Sequence, residues 1–582
     1  VTWILDAARN ASRLIGNLLV RLMGPAADFV AVTLSGGYPE RSTPPQPLWQ
    51  RVMPLPWRRR EESLEALRER LDRIAGDTRV RGVIVRMRDL EAGMATVQSL
   101  RDALIGLRRR GKRVVAYLPA ADLRTYYLAA AADEIIMAPA GFWRVTGLRS
   151  EITFFRQAFD RLGLLPQFDR IAEYKTAADP FMRSGISEHH REVVESVLDA
   201  LLGEIVDDVA RARRLAPEAV RAAIDRAPLT AEAAAAAGLI DAVGYEDELP
   251  LRLGGAVRPA RVLPWEQARR RLRRPYRWRA RTAVIGVVEL IGAIVPGESR
   301  EAPVPFPLLG RHFAGSDTVA RAFRAAERAR AIRAVVFHVE SGGGSALASD
   351  LIWREVERVR RTKPVVVFMG NVAGSGGYYV SCGASRIIAQ PATLTGSIGV
   401  VNGKLTAQGL FERLGLRREV LARGEAATME SAFEPFSDDH LVRIRGEMEN
   451  IYGRFVDKVA GGRRRSSAEV ETVARGRVWT GRQAIAHGLV DELGDFALAV
   501  RRASELAGIP AGADVVARTI VPPPSAALPA AGSVGGAPAG GAVDGTLVAG
   551  VAGAVHALAA ARELAREPGL LLMTGPDGPT WP

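Results

Sequence analysis

The chain has 582 residues, 48% of them hydrophobic and 25% charged, the composition of a globular protein too long for one ordinary domain. Its single cysteine, Cys382, excludes an internal disulfide framework, and its seven histidines form no HExxH-like ligand pair, so no metal site is expected. The net charge of +14 is almost wholly arginine: five lysines, at 112, 175, 363, 404 and 458, stand among 79 basic residues.

Residues 1–28 read as an amphipathic N-terminal helix. TWILDAARNASRLIGNLLVRLMG breaks its apolar residues with Asp6, Arg9, Arg13 and Arg21, so no window reaches the ~20 apolar residues of a spanning helix, and no ordinary secretory signal is visible. Trp3, Ile4, Leu14, Ile15, Leu18 and Leu22 approximate one face, suited to a membrane surface or to packing on the first domain. The expected location is membrane-associated, with the compartment open.

Internal repetition organises the remainder of the chain. Gly82-Val-Ile-Val-Arg-Met87 parallels Ala334-Val-Val-Phe-His-Val339, Lys112-Arg-Val-Val-Ala-Tyr117 parallels Lys363-Pro-Val-Val-Val-Phe368, and Phe159-Asp-Arg-Leu-Gly-Leu164 parallels Phe411-Glu-Arg-Leu-Gly-Leu416, each at a separation of about 250 residues. The chain therefore reads as a tandem duplication with halves at 29–250 and 283–510. An arginine-rich connector, 251–282, joins them; its run ARRRLRRPYRWRAR suits a solvated linker first, then anionic lipid, with nucleic acid last. Residues 511–582 form a Pro/Gly/Ala-rich tail, expected to carry one weak helix near Leu547–Leu564.

Within each half, short apolar runs alternate with helical patterns: AVVFHV, a glycine turn, ASDLIWREVERVRR, PVVVFM and a second glycine turn. Strand, turn and helix in that repetition predict an α/β fold with buried, mostly parallel strands and sites at their carboxyl ends. Two turns fall at such ends, ESGGGS at Glu340–Ser345 and NVAGSGGYY at Asn371–Tyr379. A serine between glycines at the mouth of a helix suits acyl transfer, in which backbone N–H groups stabilise an oxyanion. The first half has Leu123 where the second has Ser375, and Arg124-Thr125 where it has Gly376-Gly377, so the glycine apparatus is not a requirement of the fold.

Ser375 needs a proton acceptor. His338 is better suited to packing in its strand. A lysine serves if it is neutral, which burial promotes; arginine does not deprotonate in proteins. Lys112 and Lys363 precede strands at equivalent positions and read as surface residues, and Lys458 lies on a polar helix face. Lys175, in IAEYKTAADPFMR, and Lys404, in SIGVVNGKLT, remain.

EYKTAADPFMRSGIS, ESGGGS, PVVVFMGNVAGSGGYYVSCGASRIIAQPATLTGSIGV and VWTGRQAIAHGLVDELG resemble the long, duplicated form of the signal peptide peptidase A family, over nearly all of both halves. The resemblance implies tandem Clp protease/crotonase-like domains and a Ser-Lys dyad serine peptidase acting on hydrophobic peptides such as signal-peptide remnants. By motif position it makes Ser375 the nucleophile, Lys175 the general base, Gly343 and Gly376 the oxyanion donors with Gly344 a near alternative, and Ser397 a partner of the lysine. It also implies a homotetramer and no cofactor; no nucleic-acid partner is expected. Glu340 and Gly342 depart from the Asn and Pro of the family's Asn-Ser-Pro-Gly-Gly turn, and the family's N-terminal anchor is missing or reduced to an amphipathic helix. A crotonase-like acyl-CoA enzyme and a noncatalytic membrane scaffold are the alternatives.

Overall fold

A computed structural model of the chain describes residues 10–18, 20, 26–42, 62–273, 282–306, 310–522 and 570–572. The expectations for residues 1–9, for the connector after Arg273 and for a helix near 547–564 lie outside the described residues.

The first half contributes β1 (Phe29–Gly36), β2 (Gly82–Leu90), α1 (Met94–Arg109), β3 (Arg113–Leu118), α2 (Leu123–Ala129), β4 (Glu134–Met137), β5 (Leu165–Ile171) and α3 (Glu188–Arg213). A six-stranded sheet runs in the order Ala242–Val243, β4, β3, β2, β1, Val262–Pro264, all pairs parallel. Both of its faces are covered, which is why its strands read as apolar runs rather than alternating ones. Val30, Val83 and Val85 pack with Leu100 and Leu104 of α1 on one face; Phe29, Ile84 and Val115 pack with Leu249 and Leu253 on the other. The stretch expected to be a connector is folded as far as Arg273: Val262–Pro264 closes the open edge of β1, an edge position that tolerates proline.

The second half repeats the plan with β6 (Thr282–Ile291), β7 (Ala293–Val295), β8 (Ile332–Ser341), β9 (Gly343–Ser345), β10 (Val365–Gly374), α4 (Gly376–Ser381), β11 (Arg386–Ala389), β12 (Leu394–Gly396), β13 (Val400–Thr406), α5 (Asp438–Arg463), β14 (Val478–Thr480) and β15 (Asp514–Thr519). Its main sheet runs β14-β12-β10-β8-β6-β15, with β11 also on β10; along that path only β12 and β14 are antiparallel. The last strand of this sheet lies beyond residue 510.

The duplication extends to single hydrogen bonds. Ser187 and Ser437 cap the 26-residue helices α3 and α5, which both end on an arginine in the left-handed region, Arg214 and Arg464. Arg213 grips Asp241 while Asp241 accepts the N–H of Ile135; Arg463, Asp491 and Ile387 repeat that arrangement. Lys112 and Lys363 also match, but not as free surface charges: each ammonium donates to two backbone carbonyls, Asp77 and Val80 in one half, Ala326 and Ala329 in the other, and Lys112 is buried.

A third, seven-stranded sheet joins the halves in the order Arg300–Phe306, Gly310–Gly315, β7, β9, β16 (Leu570–Leu572), β13, β5. Here β5 of the first half runs antiparallel to β13 of the second, from Leu165 opposite Thr406 to Ile171 opposite Val400.

Candidate active site

Ser375 stands on the turn from β10 into α4, fully buried, with φ 54° and ψ −117°. A non-glycine residue held there stores roughly 1–3 kcal/mol of strain, which the surroundings must impose. The Ser375 N–H donates to Gly396 O at 2.8 Å, tying the turn to β12. The first half shows the ordinary solution one residue before the equivalent place: Asp122, preceding Leu123, caps α2 by accepting from Thr125 N at 2.9 Å. At α4 the cap position is the serine, and its side chain makes no capping bond.

The two glycine turns meet at this point. A Cβ on Gly376 would lie 2.7 Å from Ser349 Oγ, 3.1 Å from Gly343 Cα and 3.2 Å from Gly344 N, so only glycine lets β9 come this close to the serine turn. The Gly376 N–H is a first-turn donor, a group no helical carbonyl reaches. The Gly343 N–H donates to Ser341 Oγ at 3.1 Å, so of the two expected oxyanion donors this one is engaged, with Gly344 beside it.

Lys175 arrives from the first half, directly after β5 and its short turn, and is 1% exposed. Its Nζ lies 2.7 Å from Ser375 Oγ, 2.9 Å from Ser397 O and 3.0 Å from Ser397 Oγ. All three partners are neutral oxygens, and burial holds the amine well below the ordinary lysine range. In the neutral state the amine has a lone pair, and the shortest of these contacts can reverse, Ser375 Oγ–H donating to Nζ.

The structure thus brings Ser375, Lys175, Ser397, Gly343, Gly344 and Gly376 together, and leaves the other candidates elsewhere. Lys404 Nζ donates to Met429 O at 2.9 Å and lies 4.1 Å over the Phe436 ring, with burial lowering it to about 8. His338 is buried in β8 against Phe368 and Phe496.

Two contributors went unread in the sequence. Gly476, at φ 81°, is where the second half wraps Lys175: a Cβ there would lie 2.4 Å from Lys175 N, and the flanking Arg475 O accepts from Tyr174 N. Its only signal is a glycine between arginines in ARGRVW. The other is the role of Glu340, which stands where the family's turn has Asn: its carboxylate accepts from Asn371 N at 2.8 Å and Val372 N at 3.2 Å, joining the two turns.

A serine on a strand-to-helix turn, facing a buried amine in an α/β scaffold of parallel strands, is the equipment of a serine hydrolase. Peptidase family S49 matches residues 106–256 and 357–510, one stretch in each half. Over 454 residues the chain is 32% identical to "Serine protease SPPA, chloroplastic" of Arabidopsis thaliana, covering 77% of this chain and 66% of the relative. It is 31% identical over 445 residues to "Protease 4" of Haemophilus influenzae, 74% of this chain and 71% of the relative, and 30% identical over 467 residues to "Protease 4" of Salmonella typhi, 77% and 73%. The chain belongs to Peptidase family S49, as a protease of the long, duplicated signal peptide peptidase A type.

Proposed function

We propose that the protein hydrolyses peptide bonds in hydrophobic, extended segments such as signal-peptide remnants, with Ser375 as nucleophile and Lys175 as general base. The observation that carries this reading is the 2.7 Å contact between Lys175 Nζ and Ser375 Oγ inside a buried site. An ordinary lysine, with a pKa near 10.4, is neutral in only about one molecule in 2,500 at pH 7, so a base here requires the desolvation that Lys175 has. Lys175 takes the Ser375 proton as Oγ attacks the scissile carbonyl, and the N–H groups of Gly376 and of Gly343 or Gly344 receive the developing charge. The proton passes to the leaving amine, an acyl-enzyme remains, and Lys175 then activates water to release it. No step calls for a cofactor.

The reading extends to a homotetramer working at a membrane surface, without nucleic acid. The family resemblance supports the tetramer. Residues 10–18 are helical and leave Leu14, Ile15 and Leu18 more than half exposed, which supports the surface; no described helix is long and apolar enough to cross a membrane.

A serine-reactive fluorophosphonate, applied to wild type, Ser375→Ala, Lys175→Ala and Lys404→Ala, tests the assignment. Wild type and Lys404→Ala label; Ser375→Ala does not, and Lys175→Ala labels about 10²–10⁴-fold more slowly, the usual contribution of a general base. Equal labelling of Ser375→Ala would refute it.

A further inference from the structure

Lys175 is buried in part by a piece of chain from the other half. Arg475, Gly476 and Arg477, just before β14, cross its backbone: a Cβ on Gly476 would lie 2.4 Å from Lys175 N and 2.7 Å from both its Cα and its Cβ. Gly399 packs further along the side chain, where an added Cβ would lie 3.2 Å from Lys175 Cδ and 2.9 Å from Gly476 Cα. Backbone bonds tie the crossing to the second half: Gly476 N donates to Ile398 O at 2.7 Å, and Ser397 N donates to Arg477 O at 2.7 Å. Side chains tie it to the first half. Arg475 pairs with Glu173 at 2.6 Å, and Arg477 donates to Glu192 of α3 at 2.7 Å. The Arg477 guanidinium also lies 5.0 Å over the Tyr174 ring and 4.8 Å over the Trp479 ring, and Tyr174 donates its hydroxyl to the same Glu192 carboxylate at 2.9 Å. Tyr174 immediately precedes Lys175, and Ser397 is the residue whose carbonyl and hydroxyl hold the lysine's Nζ. Arg477 therefore reaches both ends of the lysine, one through its side chain and the other through its backbone.

We infer that Arg477 is a positioning residue for Lys175: it clamps the 475–477 crossing onto the first half and so keeps water from the lysine amine. The inference rests on the peptidase reading above and adds to it the group that keeps the base dry. Gly476 has no side chain with which to hold itself down, so the hold falls to its two neighbours. If the crossing lifts, the amine regains the solvation that burial removed, and its affinity for a proton rises. The charged and titratable groups around the clamp are Glu173, His189 and Glu192 from the first half and Arg465, Arg475 and His487 from the second. None of them shifts Lys175, whose amine is lowered by burial. Arg477 thus acts on the lysine through the crossing rather than through its charge. A surface ion pair with a ring contact favours a closed state by about tenfold. Loss of the clamp should raise the proton affinity of Lys175 by up to the same factor, about one pH unit.

The test follows Lys175 directly in the full chain labelled with 13Cε-lysine. The chain has five lysines, and Lys175→Met assigns the resonance of interest. Titrated from pH 6 to 10, Arg477→Ala should move the Lys175 midpoint up by about one unit. Glu192→Ala, a change on the exposed part of α3, should move it up by about half a unit. The second variant separates the clamp from a plain charge effect, because removing a nearby carboxylate would by itself lower the midpoint. For a quenched hydrophobic peptide, the acid limb of kcat/KM should shift by the same amounts. In Arg477→Ala the rate should be about tenfold lower on the acid side of that limb and merge with wild type above it, and Arg477→Lys, which keeps a cation for Glu192, should return most of the difference. Unmoved midpoints in both alanine variants overturn the clamp, as do midpoints that move in opposite directions. A loss of rate that is equal at every pH overturns it as well, and leaves the peptidase reading standing. Raised midpoints in both variants, with no Ser375-dependent turnover by wild type at any pH, support the clamp and reject the peptidase reading.

Discussion

Lys175 carries a cost that its proposed role as general base explains. Burial holds its amine well below the ordinary lysine range, so in the pH window between that depressed value and about 10.5 the unfolded chain binds a proton that the folded chain does not. The penalty is full below the folded-state value and is relieved as pH rises toward 10.5. Relative to Lys175→Met, wild type should therefore gain stability with rising pH, measured as the difference between the two in denaturation midpoints from pH 6 to 10; parallel curves would contradict the depressed amine. Activity should rise over the lower part of the same range, as the fraction of neutral lysine grows. Gly476 supports this residue from behind. Because a Cβ there would meet Lys175 N at 2.4 Å and φ is 81°, Gly476→Ala must push the lysine backbone off its position. A displacement near 1 Å costs on the order of 10²-fold in rate, so kcat should fall by that order while KM for a peptide stays nearly constant, read by steady-state kinetics.

At the scale of elements, the site depends on two strand ends staying in register, and Glu340 is the connection between them. Its carboxylate accepts two backbone N–H groups from Asn371 and Val372 at the end of β10, while its own carbonyl accepts from Gly292 N at 2.9 Å. Burial raises this carboxyl above the ordinary range, so the stability it contributes is full at low pH and is lost as pH rises from about 4.5 through the raised value. Glu340→Gln keeps an acceptor and removes the buried charge; it should retain activity and unfold at no lower a temperature than wild type at pH 7. Glu340→Ala strands two donors and should lose roughly 1–3 kcal/mol by chemical denaturation, with activity falling as the turns separate. The sequence made both turns legible, because glycine runs after apolar strands have few other meanings. It also made Ser375 legible, because the duplicated half lacks it. The bond between the turns was not legible: whether a glutamate at Glu340 faces a peptide or a neighbouring strand depends on a pairing between β8 and β10 that no local pattern records. Lys112 and Lys363 misled for a similar reason, since a cation before a strand reads as solvated until the carbonyls it caps are in place.

At the scale of the whole molecule, duplication followed by divergence explains why the site is assembled from both halves. Each half retains the parallel sheet, the 26-residue helix and the arginine–aspartate clamp, while the serine turn survives only in the second and the lysine comes from the first. The absence of the serine turn from the first half was visible in the repeat itself; the antiparallel union of β5 with β13 that delivers Lys175 was not, because those strands lie more than 200 residues apart. Polar contacts hold the halves in place around it: Thr96 with Asn371, Gln98 with Ala392, Arg68 with Asp495 and Glu204 with Arg482. Both partners of the proposed dyad therefore come from one chain, and neighbouring chains in an assembly do not need to exchange residues. Mixing Ser375→Ala with Lys175→Ala protein, dissociated and reassembled together, should accordingly leave peptidase activity at the level of the separate variants. If instead each mixed assembly regained a sizeable fraction of wild-type activity, a lysine would be reaching the serine of a different chain, and the β5–β13 junction would have to form between subunits rather than within one.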